Sequence, residues 1–148
     1  MNSAPTVTLA FWDSSALVKL LVEETGTDVA VALWDQASGV VASRLAVPEV
    51  RAALVSAERS GRVDQVTARV AHDEWRRYHD ALLFMEVSAE IADRAAVLVV
   101  GHPLSGADAV HLATALALRE VEPVLATWDR RLASAAVAEG LAVVPGDI

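Results

Sequence analysis

The amino-acid sequence predicts a three-layer α/β/α domain with a central, mostly parallel sheet. Two observations carry that expectation. Short β-branched or aromatic runs alternate with longer helical patterns along the chain, as they do when helices return between parallel strands. The 148 residues contain no linker and no low-complexity segment, which predicts a single domain over residues 1–148. With 54 % hydrophobic residues and a mean hydropathy of +0.38, the chain reads as globular and long enough to bury a core.

The elements follow in order. Val7 to Trp12 is the first strand, and Ser15 to Val22 a short helix after it. Thr25-Gly26-Thr27 interrupts, and Asp28 to Gln36 resumes as a helix with Val29, Ala32 and Leu33 on its apolar side. Val40 to Ser43 is the second strand. Pro48 then opens a helix at the first position, which proline favours, with Val50, Ala53, Leu54 and Ala57 at helical spacing and Ser60-Gly61 at its end. Val63 to about His79 continues as a helix with a narrow stripe of Val63, Val66 and Val70. Leu83 to Val87 is the third strand and Ser88 to Val100 a helix, followed by a loop at Gly101-His102-Pro103. Ser105-Gly106-Ala107-Asp108 has the spacing of a helix start and leads into Ala109 to Arg119. Val124 to Thr127 is a strand, Arg130 to Glu139 a helix closed by Gly140, and Ala142 to Val144 the last strand.

Several classes are excluded by composition. There is no cysteine, so disulfide scaffolds, thiolate zinc sites and thiol chemistry fall away. No apolar run approaches the ~18 residues of a membrane span, and Met1 to Pro5 lacks the basic start of a secretory signal. A cytoplasmic protein without membrane attachment is expected. The net charge of −8 opposes nonspecific coating of nucleic acid. The balance is uneven, however: Arg44 to Arg77 holds seven basic and five acidic residues, leaving −10 for the rest. A polyanionic partner would have to use that stretch, or metal ions. The Trp-Asp pairs at 12, 34 and 128 lack the fixed period of ~40–45 residues found in propeller repeats. Neither phosphate-binding glycine motif occurs.

The positions of four acids are more informative. Asp13 follows the first strand and Asp129 the fourth, while Glu49 and Asp108 fall in the first turns of helices. In an open parallel sheet, strand carboxyl ends and helix N-termini share one edge, where ligands bind. Each acid alone could be a cap or a dipole-favoured first-turn residue. Together they would repel: two carboxylates ~5 Å apart at an effective dielectric of ~20 cost roughly 3 kcal/mol. A cation is the sensible partner, and oxygen ligands point to Mg²⁺, with Mn²⁺ as a substitute. Such a site suits phosphodiester hydrolysis, with bound ions acidifying the attacking water and stabilising the leaving oxygen. Receiver domains and HAD-like phosphatases need a further acid close behind Asp13, where Ser14 and Ser15 stand.

Four segments carry a resemblance to a known family. Asp13-Ser14-Ser15-Ala16-Leu17-Val18-Lys19, Pro48-Glu49-Val50, Ala107-Asp108-Ala109-Val110-His111-Leu112-Ala113-Thr114-Ala115 and Thr127-Trp128-Asp129-Arg130-Arg131-Leu132 occur in this order. They resemble a PIN-domain ribonuclease, more narrowly the VapC type of bacterial toxin–antitoxin systems. The resemblance implies a Mg²⁺-dependent endoribonuclease acting on RNA, a homodimer, and inhibition by a cognate antitoxin. It makes Asp13 and Asp108 the firmest metal ligands and Asp129 the acid that completes the site. Glu49 is either a further ligand or an orienter of the attacking water. Ser14 and Thr127 resemble hydroxyls found beside the metal, with capping and local turn bonding as the alternative. A PIN-like module without catalysis, binding RNA or a protein, is the rival function.

Other residues read more plainly. His111, three residues after Asp108, reads as a helix-packed histidine ahead of a ligand or acid–base group. His72 to Asp80 reads as a solvated helix face with its aromatics turned inward, ahead of an RNA track. Trp12 and Trp128 read as strand core. The apolar helix Ala109 to Leu118 suits either a dimer surface or a core.

Overall fold

Strand β1 (Leu9–Trp12) runs through the middle of the sheet, and its alternating side chains divide the core in two. Ala10 and Trp12 face one layer of helices, and Phe11 faces the other. The computed structural model describes residues 8–148; Met1 to Pro5 and Val7, the expected start of the first strand, lie outside them. The remaining strands are β2 (Gly39–Ser43), β3 (Leu83–Met85), β4 (Val124–Ala126) and β5 (Ala142–Val144). Their order is β3-β2-β1-β4-β5, and every pair is parallel.

Parallel strands need crossovers, and seven helices supply them: α1 (Ser14–Leu21), α2 (Thr27–Gln36), α3 (Ala46–Arg59), α4 (Gln65–Ala81), α5 (Ala89–Gly101), α6 (Gly106–Leu116) and α7 (Arg130–Ala138). Helices α1 to α4 pack around Trp12, Ala42 and Ala126, and α5 to α7 around Phe11, Val41 and Leu125. The chain runs from β1 outward to β3, then crosses to β4 on the other side of β1. That reversal opens a crevice at the carboxyl ends of β1 and β4.

Three details differ from the sequence expectation. Helix α3 begins two residues before Pro48, which lies within the first turn, where its missing N–H forfeits no intrahelical bond. In α4 the stripe of valines is wrong: Val66 and Val70 are exposed, and the buried face is Ala68, Ala71 and Trp75. Burying the indole removes more apolar surface than burying either valine, and alanines let the helix approach closely. Helix α2 is likewise rotated. Val29 and Ala32 face out, while Thr27 and Ala30 face in. Trp34 sets the rotation by packing edge-on against Trp12 at 5.5 Å and Tyr78 at 4.8 Å.

The expected boundaries elsewhere agree within one or two residues, except for the end of α6, which comes three residues early at Leu116. Helix α6 is spent largely on the core: Ala109 and His111 to Leu116 are buried. Trp12 is core, whereas Trp128 lies beyond β4 and half-buried. Among the described residues no single helix is long and apolar enough to cross a membrane.

Gly26 ties the turn before α2 to Trp128. Its φ of +102° is left-handed, and a Cβ there would lie 2.6 Å from the indole Nε1. Gly140 has a similar φ of +92° with open space around it. Gly140→Ala is expected to cost about 1 kcal/mol from backbone strain alone, and Gly26→Ala at least about 1 kcal/mol more. Urea unfolding checks this; equal losses would contradict the Trp128 contact.

Candidate active site

The acids are arranged by the ends of the elements that carry them. Asp13 leaves β1 and caps α1, its Oδ1 accepting the Ala16 N–H at 2.8 Å and the Ser15 hydroxyl at 2.7 Å. Its Oδ2 accepts the Thr127 hydroxyl at 2.5 Å. Asp13 is 3 % exposed and Thr127 is fully buried. Thr127 Oγ1 in turn accepts the Asp129 N–H at 3.0 Å, and Ser15 Oγ accepts the Trp128 N–H at 2.9 Å. One carboxylate therefore ties the end of β1 to the end of β4, at the crevice.

Asp129 caps α7, its Oδ1 accepting the N–H groups of Arg131 and Leu132. Glu49 lies in the first turn of α3, and its Oε1 accepts the Ser14 hydroxyl at 2.7 Å. The same oxygen meets Nε2 of His111 at 2.5 Å. Asp108 lies in the first turn of α6, whose cap Ser105 accepts the Asp108 N–H at 3.1 Å. The capping roles weighed for Asp13 and Asp129 are thus real. They coexist with the gathering of the acids at one edge.

The acids feel one another's charge. Burial pushes the Asp13 carboxyl up from the ordinary range, against bonds from Thr127, Ser15 and Ala16. Burial also raises Asp108, and the nearby charges of Asp129 and Glu49 raise it further. Glu49 moves the other way. Burial works against its charge, yet bonds from His111 and Ser14 outweigh it and hold the carboxyl low. Among the described residues no lysine or arginine pairs with any of the four acids; only His111 meets one of them.

The donor set is all oxygen and lacks a protein counter-charge, which is the chemistry that suits a hard divalent cation. No three His, Asp or Glu side chains among the described residues close on one point as a finished coordination shell does. Both oxygens of Asp13 and one each of Glu49 and Asp129 are engaged by protein donors. Sequence reasoning missed two parts of this arrangement. Ser15, which bonds both Asp13 and Trp128, carried no signal beyond its place after a strand-end acid. His111 was visible one turn after Asp108, but its bond to Glu49 spans 62 residues of chain.

A groove of about 610 Å³ starts at Ser14 and Ser15 and runs past Lys19 and Trp128 to Arg62 and Val63. None of the four acids lines it. Lys19 is held by Glu24 at 3.1 Å and by the Thr25 carbonyl at 2.8 Å, with its ammonium 5.9 Å from the centre of the Trp128 ring.

A five-stranded parallel sheet in this order, with acids gathered at the carboxyl ends of β1 and β4, defines the class. The chain belongs to the PIN domain family, which residues 10–138 match. It is 44 % identical over 140 residues to Ribonuclease VapC45 of Mycobacterium tuberculosis (strain CDC 1551 / Oshkosh), covering 95 % of this chain and 97 % of that protein. Two solved structures share the fold. PAE2754 from Pyrobaculum aerophilum matches with a TM-score of 0.68 at 22 % identity, over 93 % of this chain and 84 % of its own. A toxin–antitoxin complex from Klebsiella pneumoniae matches with a TM-score of 0.59 at 22 % identity, over 81 % and 86 % respectively.

The raised Asp108 gives a signed prediction. The folded chain holds that proton more tightly than the unfolded chain does. Its contribution to stability is full below the unfolded pKa of about 3.9 and is lost as pH rises through the raised folded value. In EDTA at pH 7, Asp108→Asn is therefore expected to stabilise the protein by about 0.5 kcal/mol after solvent screening. The gain should vanish below about pH 4. Urea unfolding across pH checks both, and a loss of stability at pH 7 would contradict the repulsion.

Proposed function

We propose that the chain is a single-domain endoribonuclease that needs a divalent metal, hydrolyses RNA phosphodiesters in the cytoplasm, and is the toxin of a toxin–antitoxin pair. The observation that carries this is the set of four carboxylates from four elements, gathered without a lysine or arginine partner. The 44 % identity to a VapC ribonuclease supports RNA as the substrate. Asp13, Asp108, Asp129 and Glu49 would hold the metal, Mg²⁺ with Mn²⁺ as a substitute. When bound, the metal supplies neutralising charge and lowers the pKa of water at the scissile phosphate. Thr127 and Ser15 keep the Asp13 carboxylate fixed, and the capping bonds of Asp129 fall on Oδ1, leaving Oδ2 for the ion. Glu49 Oε2 is likewise left free to ligate or to orient water.

RNA would reach the acids along the groove from Arg62 to Ser14. Arg59, Arg62 and Arg69 on the α3–α4 hairpin are exposed, and Trp128 offers a stacking face. This hairpin is the basic stretch of the sequence, set apart from the acidic remainder. An antitoxin, the partner suggested by the Klebsiella complex, would compete by presenting a basic side chain to the acids. A second copy of the chain would find apolar surface on α5, where Val97 and Val100 face out.

The test is cleavage of a mixed RNA pool by purified chain in Mg²⁺, Mn²⁺ or EDTA. Discrete metal-dependent cuts are expected, reduced at least about 100-fold in Asp13→Ala and in Asp108→Ala. Cuts that survive both substitutions would contradict the site; RNA binding without cleavage would favour a non-catalytic module. Arg62→Ala should raise KM with kcat kept, and flatten the slope of log affinity against log salt by about 0.7 for the lost phosphate contact.

A further inference from the structure

His111 is packed in the core, yet its polar atoms are not those of a filler. It is 2 % exposed on α6, one turn after Asp108. Its Nε2 meets Glu49 Oε1 and lies 3.5 Å from Ser14 Oγ, which donates to that same oxygen at 2.7 Å. A carboxylate oxygen only accepts, so Nε2 carries the proton and the ring donates. Nδ1 has no partner among the described residues. A residue serving volume alone would fill the space with carbon and leave no orphaned nitrogen.

We infer that His111 is a positioning residue, which together with Ser14 holds Glu49 in the acidic cluster before any cation arrives. This rests on the reading of the four acids as a divalent-metal site. The side chain of Glu49 is 32 % exposed, so solvent is open to it, and the charge of Asp108 repels it. Two donors, one from α1 and one from α6, oppose that escape. Both bonds fall on Oε1, so the pair fixes the carboxylate while leaving Oε2 for the ion or its water. Ser14 and His111 also join the first turns of α1 and α3 to α6, the elements that carry three of the four acids.

The test is a double-mutant cycle on Mn²⁺ affinity, read by titration calorimetry on the full chain. His111→Leu should weaken Mn²⁺ binding about tenfold, the worth of one charge-assisted hydrogen bond. His111→Gln, whose amide N–H reaches the place of Nε2, should stay within about threefold. In a Glu49→Ala background, His111→Leu should add no further loss. Should His111→Leu fail to fold, His111→Asn replaces it, since its shorter amide stops short of Glu49. Equal affinities of wild type and His111→Leu would overturn the proposal, as would a tenfold loss that persists without Glu49. Without metal, the Nε2–H proton resonance should be shifted far downfield and lose that shift in Glu49→Ala; an unchanged resonance would refute the bond. A wild-type protein that shows this resonance but binds no Mn²⁺ would instead sink the metal reading, and the positioning role for metal with it.

Discussion

A carboxylate has been taken out of water at the end of β1, and only neutral donors contact it. The burial of Asp13 between the central strand and α1 costs several kcal/mol in ionised form, and no lysine or arginine offsets it. The hydroxyls of Thr127 and Ser15 and the Ala16 N–H recover part of that cost. The same bonds close β1 against β4 and set the starts of α1 and α7. Atoms that hold the carboxyl edge of the sheet together thus also create a negative field there. Asp108 and Glu49 deepen that field from helices α6 and α3. What the edge lacks is a lysine or arginine among the described residues; His111 contributes one N–H, donated to Glu49.

This arrangement resolves the charge of the chain. A net −8 would repel RNA if spread evenly, but the acids at the edge are the kind a divalent cation neutralises. Exposed Arg59, Arg62, Arg69, Arg76 and Arg77 lie on the α3–α4 hairpin, and Arg62 lines the groove that begins at Ser14. A strand of RNA laid there would meet cations along its flank and the acidic centre at its cleaved bond. The fold permits this separation because α3 carries Glu49 at its start and leads the chain toward the arginines.

Much of this was legible in the sequence because strands of a parallel sheet, buried on both faces, leave short apolar runs, and acids at their ends stand out. Asp13 and Asp129 could be placed from the strands they follow, and Glu49 and Asp108 from the helices they open. Helix rotation was less legible. In α4, Val66 and Val70 have the right spacing for a core stripe, but Trp75 buries more and decides the face. In α2, Trp34 does the same through Trp12 and Tyr78, a contact no local pattern announces. The bonds of Ser15 to Trp128 and of His111 to Glu49 cross 113 and 62 residues of chain, so their partners emerge only once the layers are assembled.

The central claim is that the uncompensated acids at the carboxyl ends of β1 and β4 are completed by a divalent cation. Anomalous diffraction from crystals soaked in Mn²⁺ tests it most directly. The account predicts an anomalous peak bonded to oxygens of Asp13 and Asp108, with Asp129 or Glu49 completing the set. An ion bound only elsewhere, or none at saturating Mn²⁺ with the acids still engaged only by protein donors, would contradict it.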